Sequence, residues 1–176
     1  MERRNLLAAL AGVGGAGALG AGGWYALGRG TESGIDDVTV QTIDARGSTA
    51  GTLTVPLAGQ VTVLDVFSIG CAPCKTELGR LRAVQDRLPG NARLVSVTND
   101  AIGGTLTRDD LRQWWRDNDG NWAVGIDANG DLMRELGVTG LPTLAVLDAD
   151  GRVAWKHAGL VAKQDLLNRV AQASQR

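Results

Sequence analysis

From Val38 onward the hydrophobic positions switch between two periods. Val38-Thr-Val-Gln-Thr-Ile43 is apolar at alternate residues, which predicts a half-buried strand. Asp44-Ala-Arg-Gly47 reads as a turn and Gly51-Thr-Leu-Thr-Val55 as a second strand stopped by Pro56, together an N-terminal β-hairpin. Val61 to Phe67 is almost continuously apolar, the pattern of a central strand covered on both faces. Leu78, Leu81, Val84 and Leu88 then recur at helical spacing, with Pro73 in the first turn and Pro89-Gly90-Asn91 as the stop. Ala92 to Thr98 reads as another strand. Thr107-Arg-Asp-Asp110 opens a capped helix whose Leu111, Trp114 and Trp115 share one face and read as core. A short strand at Trp122 to Ile126, a helix around Asp131 to Leu136, strands at Thr143 to Leu147 and Val153 to His157, and a helix from Lys163 to Ala173 complete the chain. Strands alternating with helices, closed by a hairpin and a helix, predict an α/β fold: a mixed central sheet flanked by helices on both faces.

The N-terminus follows a different pattern. Arg3-Arg4 precedes a Gly/Ala/Leu/Val-rich stretch with no charge from Asn5 to Gly28. It is long enough to cross a bilayer, which takes about 20 residues, and Trp24-Tyr25 fall where an interfacial aromatic belt would lie. The paired arginines resemble a twin-arginine export signal, although Glu2 stands where Ser or Thr is usual. We therefore expect residues 1–30 to be a signal or a membrane helix, residues 31–37 a polar linker and residues 38–176 the folded domain. Positive charge ahead of the segment places the domain outside the cytoplasm, either anchored or secreted after cleavage.

Composition narrows the function classes. The net charge is −1, with no basic excess, so nucleic acid is not an expected partner. About 140 residues after the leader suffice for one hydrophobic core, so cysteines are not needed to staple the fold. The chain has two cysteines, and both lie in Cys71-Ala72-Pro73-Cys74, between the apolar strand and the helix. Structural zinc wants four ligands, and His157 is the one histidine available to help. A disulfide across so short a loop removes little unfolded-chain entropy. A cysteine-protease arrangement would leave Cys74 without a role. A redox-active dithiol accounts for both sulfurs, and Cys71, at the helix start, is where free N–H groups and the helix dipole favour a thiolate. No metal and no organic cofactor are expected.

Asp65-Val-Phe-Ser-Ile-Gly-Cys-Ala-Pro-Cys-Lys75, together with Gly137-Val-Thr-Gly-Leu-Pro-Thr143, resembles the thioredoxin superfamily. The N-terminal hairpin, the inserted helix bearing Trp114-Trp115 and the leader resemble its TlpA/ResA branch of extracytoplasmic thiol-disulfide oxidoreductases. The resemblance covers roughly residues 36 to 174 and implies a thioredoxin fold. It implies Cys71 as nucleophile, Cys74 as resolving thiol and Asp65, six residues before Cys71, as the buried acid that moves the Cys74 proton. Pro142 matches the family's cis-proline, which leaves the Leu141 backbone free to pair with an extended substrate segment. The family usually has Trp before the first cysteine, where this chain has Gly70; with Ala72 and Pro73 that position would meet the substrate. Lys75 and Glu77 read as solvated first-turn residues, and His157 as an edge-strand residue without a catalytic partner.

The resemblance implies protein thiols and disulfides as substrates and a membrane electron donor upstream. The absence of histidine between the cysteines leans toward a reductant. The alternative from another class is a copper(I)-handling chaperone on the same fold, since soft thiolates suit Cu(I). Relatives of that kind space their cysteines by three and add a nearby histidine, which this chain does not.

Overall fold

The structure, a computed structural model, describes residues 34–176. The leader expected at residues 1–30 lies outside the described residues, and among those described no helix is long and apolar enough to cross a membrane. Among the described residues, seven strands form one mixed sheet in the order β2-β1-β5-β4-β3-β6-β7. β1 is Val38–Thr42, β2 Gly51–Val55, β3 Val61–Phe67, β4 Ala92–Thr98, β5 Ala123–Ile126, β6 Thr143–Leu147 and β7 Val153–Ala158. The helices are α1, Ala72–Gln85; α2, Arg108–Asp117; α3, Asp131–Glu135; and α4, Lys163–Ala173.

β3 lies deep in this sheet because it can be buried on both faces, and every one of its residues is buried. It runs parallel to β4 and antiparallel to β6, in registers that place Asp65 between Ser96 and Leu144. Side chains alternate across a strand, so Val61, Val63 and Phe67 enter one core while Leu64 and Val66 enter the other. The first core takes Leu78, Leu81 and Val84 of α1, Leu111 and Trp115 of α2, and Leu166 and Val170 of α4. The second takes Leu132 of α3 and Leu136 beyond it, so helices cover both faces. Asp65 shares the parity of Val63 and Phe67, which turns it toward the α1 side.

α1 ends earlier than its apolar stripe suggests. Leu88 is half-buried but lies past the helix, in a turn where Arg87 and Leu88 donate to Val84 and Gln85 across the shorter i to i−3 spacing. Pro89 disfavours helical backbone at Leu88, so the final turn tightens and unwinds. α2 starts where Thr107 and Asp110 exchange the reciprocal bonds of a capping box. Its Trp115 is fully buried, in an edge-on contact with Trp122 at 5.1 Å, and Trp114 stacks on Phe67 at 5.1 Å. Gly120 lies against this cluster: a Cβ there would stand 2.2 Å from the Trp115 ring.

Candidate active site

The site begins where β3 runs out. After Phe67 the chain crosses Ser68, Ile69 and Gly70 and enters α1 at Cys71, which is the N-cap with extended backbone, φ −93° and ψ 107°. In that conformation the Cys71 sulfur accepts the Cys74 N–H at 3.2 Å, as a serine or aspartate cap would. Pro73 fits the first turn, and no acidic residue in that turn opposes the positive end of the helix dipole. Cys71 and Cys74 are joined by a disulfide, S–S 2.08 Å. The two sulfurs differ in access: Cys71 is half-buried, whereas Cys74 is sealed into the core. Ala72, Pro73 and Gly70 are exposed around them. Gly70 has no left-handed backbone, and a Cβ there would find its nearest neighbour, Ser68 Oγ, at 3.8 Å. Neither backbone nor packing demands glycine at this position, so its effect is an open notch beside the outer cysteine.

Asp65 is buried, and its parity along β3 turns it toward the core that also holds Cys74. Its Oδ2 accepts the Ser96 hydroxyl at 2.7 Å, and Ser96 Oγ in turn accepts the Trp122 indole N–H at 2.9 Å. Indole nitrogen only donates, so Ser96 Oγ accepts from it and keeps its own hydroxyl hydrogen to donate to the ionised Asp65. Burial pushes the Asp65 carboxyl up to about 7; the Ser96 bond opposes this and the negative Glu77 adds to it. A group poised near neutrality in this position can take and return a proton.

Glu77 corrects the expectation of a solvated first-turn residue, for it is 1% exposed. It lies three residues after Cys74 and four before Leu81, on the face that α1 turns to the core, and this spacing was the signal for its burial. Oε2 accepts the Val161 N–H at 3.1 Å and approaches Arg80 at 3.7 Å, while Oε1 has no hydrogen-bond partner. Burial raises its carboxyl above the ordinary value, and the Val161 bond, Arg80 and His157 hold it back. The negative charge of Glu77 in turn makes ionisation of Asp65 harder.

The Leu141–Pro142 peptide bond is cis. Pro142 is buried and its carbonyl accepts the Gly159 N–H at 2.7 Å, which ties this turn to the loop after β7. The β6–β7 ladder starts at Thr143 with Ala158, so Leu141 stands just outside it. Half-buried, Leu141 packs against the same core cluster as Cys71. The structure therefore gathers Gly70, Cys71, Ala72, Pro73 and Cys74 at the start of α1, with Asp65 buried in β3 on the face that α1 covers. His157 is exposed on the edge strand β7 and stacks on Trp155 at 5.8 Å. Besides Glu77, sequence reasoning missed Ser96 and Asp100, whose roles depend on the parallel pairing of β3 with β4, for which the local sequence carries no signal.

A protein-family model described as Redoxin matches residues 33–170. Among curated proteins the chain is 24% identical over 114 residues to sporulation thiol-disulfide oxidoreductase A of Bacillus subtilis, covering 65% of this chain and 68% of that protein. It is 29% identical over 125 residues to thiol:disulfide interchange protein CycY of Rhizobium leguminosarum bv. viciae, covering 68% of this chain and 64% of that protein, just under two thirds of its length. Among solved structures, the exposed lipoprotein thioredoxin of Streptococcus pneumoniae superposes with a TM-score of 0.66 at 21% identity, covering 78% of this chain and 99% of that one. The likeness shows a thioredoxin fold.

Proposed function

The chain belongs to the Redoxin family, as a TlpA/ResA-like member of the thioredoxin superfamily, and on that premise we propose that it is an extracytoplasmic reductant of protein disulfides. The observation that carries the reading is the Cys71–Cys74 disulfide at the head of α1, half-exposed on one sulfur and sealed on the other, with a buried carboxyl poised near neutrality on the β3 face that α1 covers.

In the reduced protein the Cys71 thiolate attacks one sulfur of a substrate disulfide. A mixed disulfide forms and the other substrate sulfur leaves as a thiolate. Cys74 then loses its proton to the Asp65 carboxylate and attacks Cys71, which expels the second substrate thiolate and closes the internal disulfide. Two electrons pass to the substrate, whose sulfurs take up two protons. Leu141, outside the ladder, offers its backbone to an extended substrate segment next to the sulfurs, and Gly70 leaves room for a bulky residue there.

The leader read in residues 1–30 supports placement outside the cytoplasm, as does the description of a structural relative as an exposed lipoprotein. A reductant there would draw its electrons from a donor in the membrane. Equilibrating the Cys71/Cys74 couple against glutathione tests the direction: a potential near that of thioredoxin, about −270 mV, is expected, and one near that of DsbA, about −120 mV, would make the protein an oxidant instead. Failure of the reduced protein to reduce a disulfide-bonded peptide would remove the reading altogether.

A further inference from the structure

Three residues set where the outer sulfur lies. Phe67 ends β3 and Cys71 caps α1, so Ser68, Ile69 and Gly70 form a turn that belongs to neither element and needs another anchor for its polar groups. Asp100, just past the end of β4, supplies it. Oδ1 accepts the Ser68 hydroxyl at 2.7 Å, and Oδ2 accepts both the Ile69 N–H and the Thr98 hydroxyl at 2.8 Å. Ser68 passes the constraint forward: its Oγ accepts the Gly70 N–H at 3.3 Å and its carbonyl accepts the Cys71 N–H at 3.1 Å. Asp100 also opens the connection into α2, whose Trp114 stacks on Phe67, so the stretch from Phe67 to Ile69 is held by both Asp100 and α2.

We propose that Asp100 is a positioning residue for the dithiol: it fixes the Ser68–Gly70 turn so that Cys71 enters α1 with its sulfur on the Cys74 N–H, where the attacking thiolate is stabilised. The inference rests on the reading of Cys71 as nucleophile. Position and charge make opposite demands here. A nearby carboxylate taken as a bare charge disfavours a thiolate, so removing it would lower the Cys71 thiol pKa. As a positioning group its loss loosens the cap and raises that pKa. Asparagine can keep all three contacts, its oxygen facing Ile69 and Thr98 and its amide donating to Ser68 Oγ, while it removes the charge.

The test is the pH profile of iodoacetamide alkylation of Cys71 in the reduced full chain, in a Cys74→Ser background, for Asp100 and the D100A and D100N variants. D100A is expected to move the midpoint upward and slow alkylation at neutral pH about three- to tenfold, the effect of losing one cap bond, with D100N close to the parent. An unchanged midpoint in D100A, a downward shift in both variants, or a D100N as impaired as D100A would overturn the proposal. Should D100A not fold, Ser68→Ala removes the Oδ1 contact together with the acceptor of the Gly70 N–H and leaves the Ile69 and Thr98 bonds on Oδ2; an upward shift is expected, and no shift overturns. If the chain with both cysteines reduced no disulfide while D100A still moved the midpoint upward, the proposed function would fail and the positioning role would stand.

Discussion

Changing Asp65 to asparagine removes one buried ionisation and leaves the Ser96 bond, because the asparagine oxygen can accept the same hydroxyl. Burial pushes the Asp65 carboxyl up to about 7 in the folded protein from its ordinary value of 3.8. Between those values the native state keeps a proton that the unfolded chain gives up, so the stability this group contributes falls as pH rises through that window and is level above it. Each pH unit of separation is worth about 1.4 kcal/mol, so moving from pH 5 to pH 8.5 crosses roughly two units and costs the wild type about 3 kcal/mol that the variant does not lose. Urea unfolding of both oxidised proteins at both pH values measures this as a double difference. Any constant cost of fitting an amide cancels, and so does most of the slope from Glu77. The variant should gain about 3 kcal/mol on the wild type between the two pH values; a double difference under about 1 kcal/mol, or one of opposite sign, would refute the buried-acid argument. In the reduced protein the same variant should slow the closing step on the order of a hundredfold at neutral pH, read as accumulation of mixed disulfide in single-turnover mixing.

Cys74→Ser should leave the first attack intact and trap the substrate on Cys71, seen as a stable mixed disulfide on a non-reducing gel, whereas Cys71→Ser should trap none. Glu77→Gln should flatten the loss of stability with rising pH that its raised carboxyl imposes, visible in the same urea series, because a neutral amide has no ionisation to suppress. Gly70→Ala should fold with stability unchanged or improved by about 0.4–1 kcal/mol, since the backbone and the space at that position already suit a side chain. Gly120→Ala should cost about 1–3 kcal/mol or more in urea, because its methyl would overlap the Trp115 ring in a core that cannot give way.

The order and kind of elements were legible because each is written in local periodicity: alternate residues in β1, a continuous apolar run in β3, a three-to-four spacing in α1. The dithiol was legible too, since its two cysteines are adjacent in sequence and their helical start is marked by Pro73. Asp65 stood out as the one acid inside an apolar strand. Glu77 was misread because a carboxylate near a helix start is ordinarily solvated, and its burial is decided by the loop from β7 to α4, which folds back to bring Val161 onto it. Asp100 gave no local sign, for it becomes a partner of Ser68 and Ile69 only when β3 and β4 pair in parallel and their ends align. Periodicity reports which face of an element will be buried, and adjacency reports which groups can react; both are properties of consecutive residues. What surrounds a buried charge, and what steadies the turn before a nucleophile, come from segments distant in the chain, and only the closed sheet brings those segments together.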